Sequence, residues 1–290
     1  MERKLVLRGM LAGAIAGVAA FVFARIFAEP QIQAAIDYEN GRDAAQQALD
    51  KASGLPTVIP GMEIFSRAVQ ADVGIGTGIV VVGIAMGLLY SVAYAFCLGR
   101  VGRLRPRTLA MLTALGGFLG TYLVPFIKYP ANPPAIGHPD TIGQRGNLYL
   151  AMVACSLLLL VGATVLGRRL QPRLGTWNAT LVAGTSYVVG IGVVMTLLPQ
   201  LGELPANVST YGHHATETPL PLTDAKGTIV YPGFPADILF SFRLYSAAAQ
   251  LILWTTLGLI YAPMAERLLT PQPPRATAAT PREPNPVGAP

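Results

Sequence analysis

Six continuously apolar stretches, each about twenty residues long, decide what this chain can become. A helix needs roughly 20 apolar residues to cross a hydrocarbon layer ~30 Å thick. The stretches fall at about Leu5 to Phe27, Gly74 to Leu98, Thr108 to Phe126, Leu148 to Leu166, Trp177 to Leu198 and Ile238 to Ala262. None alternates, and each is about twice the ~10 residues of a membrane barrel strand, which rules out a β-barrel. With 52% apolar residues, 12% charged residues and a mean hydropathy of +0.48, neither an ordinary soluble domain nor global disorder fits. The expectation is an all-α integral membrane protein of six transmembrane helices. Its bundle occupies residues 1–270, and a disordered tail rich in Pro, Ala and Thr occupies 271–290.

Lysine and arginine orient the bundle, because they accumulate on the cytoplasmic side. The N-terminus (Arg3, Lys4, Arg8), the second connection (Arg100, Arg103, Arg105, Arg107), the fourth (Arg168, Arg169, Arg173) and the tail (Arg267, Arg275, Arg282) hold 13 of the 21 basic residues. Both termini are therefore expected in the cytoplasm, with loops 28–73, 127–147 and 199–237 outside. The first stretch is read as a span in preference to a cleaved signal peptide, since Arg25 would sit close to a cleavage point at Ala28. The net charge of +6 reflects these orienting clusters and not a basic soluble face, so nucleic acid is not an expected partner. After the first span, Glu29 to Lys51 reads as an outer surface helix, with Ile32, Ala35, Ile36, Ala45 and Leu49 on one side.

Lipid is as apolar as leucine, so membrane helices associate through small residues that let backbones approach. Gly9, Gly13 and Gly17 repeat at four-residue spacing beside Ala12, Ala16, Ala20 and Ala24. Gly74, Gly78, Gly83 and Gly87 repeat the device in the second span, and Gly116 and Gly120 in the third. The helices are thus expected to associate through glycine and alanine faces. Cys97 and Cys155 lie within apolar stretches and read as small buried hydrophobes.

A charge at mid-membrane costs about 2.5–3.5 kcal/mol on insertion scales, so each intramembrane charge needs an explanation. Arg25, with Glu29 one turn later, suggests an interfacial salt bridge. Arg243 lies six residues past Asp237, or about 9 Å along a helix. It reads either as a pathway residue and counter-charge for a carboxylate, or as a side chain snorkelling to the outer surface.

The outer loops carry a repeat. Pro130-Ala131-Asn132 is followed after four residues by Gly137-His138, and Pro205-Ala206-Asn207 after four residues by Gly212-His213-His214. All three histidines therefore lie outside the spans, with Asp140 and Glu217 close behind. Imidazole and carboxylate suit cobalt, nickel or zinc, so two converging loops are a candidate metal-capture site of His138, His213, His214 and Glu217. Solvated loop histidines are the competing reading. No HExxH, GxSxG or P-loop lysine is present, and an intramembrane serine would lack a histidine at its depth, so an enzyme is not expected.

Three segments then resemble a known family: Lys128-Tyr129-Pro130-Ala131-Asn132-Pro133-Pro134, Pro139-Asp140-Thr141-Ile142-Gly143-Gln144-Arg145, and Phe234-Pro235-Ala236-Asp237-Ile238-Leu239 with Phe242-Arg243-Leu244. Glu29-Pro30, Arg105-Pro106-Arg107 and Gly175-Thr176-Trp177-Asn178-Ala179 extend the likeness over nearly the whole chain apart from the tail. The sequence resembles the CbtA family of cobalt transporter subunits. The resemblance implies a multispanning protein of the bacterial cytoplasmic membrane that moves cobalt, paired with a short single-span, histidine-bearing subunit, CbtB. It carries Glu29, Lys128, Asn132, Asp140, Arg145, Asp237 and Arg243 over as transport-path or structural residues. Two departures shift weight from the histidines to Asp140, Asp237 and Arg243. Residues 208–233, with His213 and His214, look like an insertion, and the family often has a carboxylate where His138 stands and a histidine where Gln144 stands.

The expected function is a cobalt or nickel uptake subunit with no tightly bound cofactor, the metal being its substrate. Its expected partners are the bilayer, CbtB and, as an open alternative, a second copy. A permease for an anionic organic solute, held by Lys128, Arg145 and Arg243, and a non-transporting membrane scaffold are the alternatives.

Overall fold

The first apolar stretch runs without a break into the segment after it. In the structure, a computed structural model describing residues 2–56, 65–102, 104–134, 136–213 and 217–270, helix α1 (Glu2–Phe23) passes through a π turn (Ala24–Ala28) into α2 (Glu29–Ala52). At 1.5 Å per residue this 51-residue rod is about 77 Å long, so α2 projects well past any bilayer. The sequence reading placed α2 correctly but separated it from the span. Pro30 has no N–H to continue an ordinary helical ladder, and the wider π turn just before it carries the chain past that gap.

The same device recurs. A short α3 (Arg67–Val69) leads through a π turn (Gln70–Gly74) into α4 (Ile75–Cys97), and α5 (Pro106–Phe118) leads through another (Leu119–Leu123) into α6 (Val124–Lys128). Pro125 offers no N–H to the Thr121 carbonyl, and the Tyr149 hydroxyl of the neighbouring helix donates to that oxygen at 3.3 Å.

Next come α7 (Ile142–Leu197), α8 (Pro205–Tyr211), strands β1 (Leu222–Thr223) and β2 (Ile229–Tyr231), and α9 (Ala236–Leu269). Five segments among the described residues are long and apolar enough to cross a membrane. One of them, containing α7, is doubled back on itself. Gly175 sits at φ 74°, ψ 169°, outside helical space and favourable only for glycine. Beyond it the chain returns antiparallel: the Ser156 and Tyr187 hydroxyls are 2.8 Å apart, Gly190 lies against Leu159, and Gly167 against Ala183.

Helices α1, α4, α5 and α9 form the body. Gly9, Gly13 and Gly17 meet Gly83, Gly87 and Val80 with backbone on backbone, and a Cβ built at Gly13 would lie 2.2 Å from the Gly83 carbonyl oxygen. Gly74 and Gly78, expected in this face, take no part. Gly78 has no neighbour within 4 Å and Gly74 meets only the Val69 carbonyl, because the contact is centred further along α4. On the other side Gly117 receives the Trp254 ring and Gly258 meets Ala114. Leu5, Ala12, Tyr90, Tyr94, Leu257 and Tyr261 fill the interior. One end of this body is closed by Arg8 donating to the Met264 carbonyl and by an Arg107–Glu266 ion pair.

The α7 hairpin packs chiefly on α6 and the π turn before it, with Gly116 of α5 and Gly120 of that turn facing Leu160 and Leu157. Only 11% of its most apolar stretch is buried within the chain, against 28–33% in the other four long segments.

At the opposite end from Arg107, the loops fold over α2. Tyr38 packs between Tyr231 and Phe234, its hydroxyl donates to the Pro232 carbonyl at 2.9 Å, and Arg42 donates to the Leu220 carbonyl at 2.8 Å. Residues 217–233, part of the segment read from sequence as an insertion, thus build a cap containing a small antiparallel hairpin. Its turn is held by Asp224, whose carboxylate accepts from the Lys226 and Thr228 N–H groups. The expected tail, 271–290, and His214 lie outside the described residues.

Candidate functional site

Polar side chains gather where α6 ends, at the loop end of the seam between body and hairpin. The chain leaves the helix at Tyr129, which is buried and donates its hydroxyl to the Pro199 carbonyl at 2.9 Å. This joins the end of α6 to the end of the hairpin, and burial raises the phenol's pKa, keeping it a neutral donor. Pro130-Ala131-Asn132 then passes over α9, where Arg243 donates from Nε to the Ala131 carbonyl at 3.1 Å and from Nη2 to Asn132 Oδ1 at 2.8 Å.

Arg243, half-buried, therefore reaches from α9 to the loop after α6. Its partners are neutral, and no carboxylate lies within ion-pair distance among the described residues. Asp237, expected to share its charge, is exposed in the first turn of α9. The proposed Arg25–Glu29 bridge is likewise replaced. Arg25 pairs with Asp72 at 2.6 Å, and Glu29 pairs with Arg67, which also donates to Gln33 at 3.0 Å. The partners come from the segment leading into α4, because α1 and α4 are in register along their glycine faces.

The second half of the sequence repeat builds the other wall. Asn207 is buried and donates from Nδ2 to the Leu201 carbonyl and to Glu217 Oε1, both at 2.7 Å. The Glu217 side chain is fully buried, and its other oxygen lies 3.1 Å from Arg145 Nη1. Gly137, at φ 132°, makes room for this pair, since a Cβ there would lie 2.8 Å from Arg145 Nη1. The two repeats do converge as the sequence suggested, but through Arg145, Asn207 and Glu217.

Their histidines do other work. His138 Nδ1 accepts the Asp140 N–H at 3.2 Å, so the ring proton resides on Nε2, which points at Thr210 Oγ1 3.1 Å away. Thr210 in turn donates to the Ala206 carbonyl at 3.0 Å. Nδ1 is thus engaged within its own loop, and Nε2 ties that loop to the other. His213 and Asp140 are exposed. No group of three or more histidine, cysteine, aspartate or glutamate side chains is placed to hold a metal among the described residues.

A cavity of about 280 Å³ lies at this seam, lined by Ile127, Lys128, Pro130, Asn132, Met195, Gln200, Leu201, Glu217 and Arg243. An adjoining recess of about 250 Å³ shares Pro130, Asn132 and Leu201 and adds Tyr129, Arg145 and Tyr149. Lys128, Asn132, Glu217 and Arg243, all singled out from sequence, therefore line the cavity, and Arg145 lines the adjoining recess. Arg25, Glu29, Asp140 and Asp237 do not line it. Asn207 and Gln200 were missed, although Asn207 occupies the same place in its repeat as Asn132 does in the first.

A largely helical chain with five described segments long and apolar enough to cross a membrane belongs to the class of multi-pass membrane proteins. Residues 2–266 match the family model of the probable cobalt transporter subunit (CbtA), so the chain belongs to the CbtA family. No curated protein and no solved structure matches it.

Proposed function

We propose that this chain is the multi-pass subunit of a cobalt uptake transporter in the bacterial cytoplasmic membrane, and that the cavity between the body and the α7 hairpin receives the metal from outside. The observation that carries the reading is the convergence of Lys128, Asn132, Glu217 and Arg243 on one cavity at the loop end, within a chain of a cobalt-transporter family. Six crossings with both termini cytoplasmic fit the doubled-back α7 and the arginine-rich opposite end. Asp140 and Asp237, both exposed, are proposed to supply negative charge around the mouth, and CbtB to be the partner subunit. No resident cofactor is required.

Inward movement of a divalent cation is downhill in a negative-inside cell, by about 2.3 kcal/mol per charge per 100 mV. The test is labelled-cobalt accumulation in importer-deficient bacterial cells expressing the chain, with and without CbtB. Accumulation above the empty-vector level in either case supports the reading. No accumulation in either, with membrane insertion verified, contradicts it.

A further inference from the structure

The cavity's charge is wrong for a bare divalent cation. Lys128 and Arg243 both line it, and neither has a carboxylate within ion-pair distance among the described residues. The nearest contact recorded for the Lys128 ammonium is the Tyr129 ring, its centroid 5.7 Å away. The single lining carboxylate, Glu217, is already matched by Arg145 at 3.1 Å, and Arg145 lines the adjoining recess. Three cations thus face one anion across two cavities that share Pro130, Asn132 and Leu201 in their walls. A cation entering alone would meet net repulsion, whereas carboxylate groups would meet a fork-shaped guanidinium and an ammonium.

The two guanidinium groups are also held in place from behind. Arg243 is fixed by Ala131 and Asn132, and Arg145 by Glu217. Geometry set in advance is what a binding site for a planar anionic group needs. Arg243 lies within the apolar length of α9, where an uncompensated charge is costly, so a bound anion would supply its missing partner.

We infer that the cavity binds carboxylate groups and that the metal arrives as an anionic carboxylate chelate, with Lys128 and Arg243 engaging the chelator. This rests on the proposed cobalt reading for the metal, but the carboxylate site stands on the cavity alone.

The experiment is calorimetric titration of the full chain in lipid nanodiscs with cobalt–citrate, with citrate alone and with cobalt chloride. Lys128→Gln, which removes no hydrogen bond or ion pair recorded for the described residues, is the test variant, and Lys128→Arg is the rescue. Cobalt–citrate is expected to bind at least about tenfold more tightly than cobalt chloride, and Lys128→Gln to weaken it about tenfold, the usual effect of losing one charged hydrogen bond, with Lys128→Arg restoring it. Equal binding of citrate with and without metal supports the carboxylate site and counts against the cobalt reading. Tight binding of cobalt chloride that Lys128→Gln leaves unchanged or improves overturns the inference while leaving the cobalt reading intact.

Discussion

The body and the seam beside it use the same amino acids for opposite ends. In the body, Gly9, Gly13, Gly17, Gly83 and Gly87 bring two backbones together so closely that no space remains between α1 and α4, and tyrosines fill the inner half around Tyr261. At the seam, Gly116 and Gly120 meet only the ends of leucine side chains, the hairpin is mostly uncovered, and polar groups surround open space. The closely packed body leaves no passage between α1 and α4, whereas the sparsely covered hairpin borders open space. Under the proposed function, the difference places the metal route where helix contact is weakest, at the junction with α7.

The comparison breaks first if the body tolerates a side chain. Gly13→Leu would drive a side chain into the Gly83 carbonyl, and the expected cost is about 3 kcal/mol or more, read as loss of folded protein in detergent by size-exclusion yield and thermal unfolding. Next is the seam's buried pair. Arg145→Met leaves Glu217 buried without its counter-charge, and because Arg145 is partly solvent-exposed the expected loss is about 2–3 kcal/mol. It should be partly recovered in the Arg145→Met, Glu217→Leu double variant, and a double variant no better than the single would mean the pair is not coupled. The smallest effect belongs to the outer face of the hairpin. Gly184 has open space around it, so Gly184→Ala should change the melting temperature little or raise it, by up to about 1 kcal/mol in stability.

Much of this contrast was legible in the sequence. Each apolar stretch falls, to within a residue, inside one of the five long apolar segments, and four-residue glycine spacing marked Gly9, Gly13, Gly17, Gly83 and Gly87 as packing positions, because both follow from the bilayer as solvent. Of the residues lining the two cavities, Lys128, Asn132, Arg145, Glu217 and Arg243 stood out in the sequence as charges or repeat positions. Who touches whom was not. Arg25 turns to Asp72 and Glu29 to Arg67 because helix register, which no linear spacing encodes, sets the partners. Arg243 finds the Asn132 side chain 111 residues away, and the His138 ring is occupied by a threonine of the other loop. The π turns were also hidden, since prolines 30 and 125 signal a break in the ladder without saying that the helix continues through it.

The most direct test of the seam as the route is the initial rate of labelled-cobalt uptake in importer-deficient cells. It compares Lys128→Gln with a variant changing His138, His213 and His214 to alanine, at matched expression in the membrane. The account predicts that Lys128→Gln loses most of the uptake and that the histidine variant stays near the wild-type rate. Uptake abolished by the histidine changes and untouched by Lys128→Gln would contradict it.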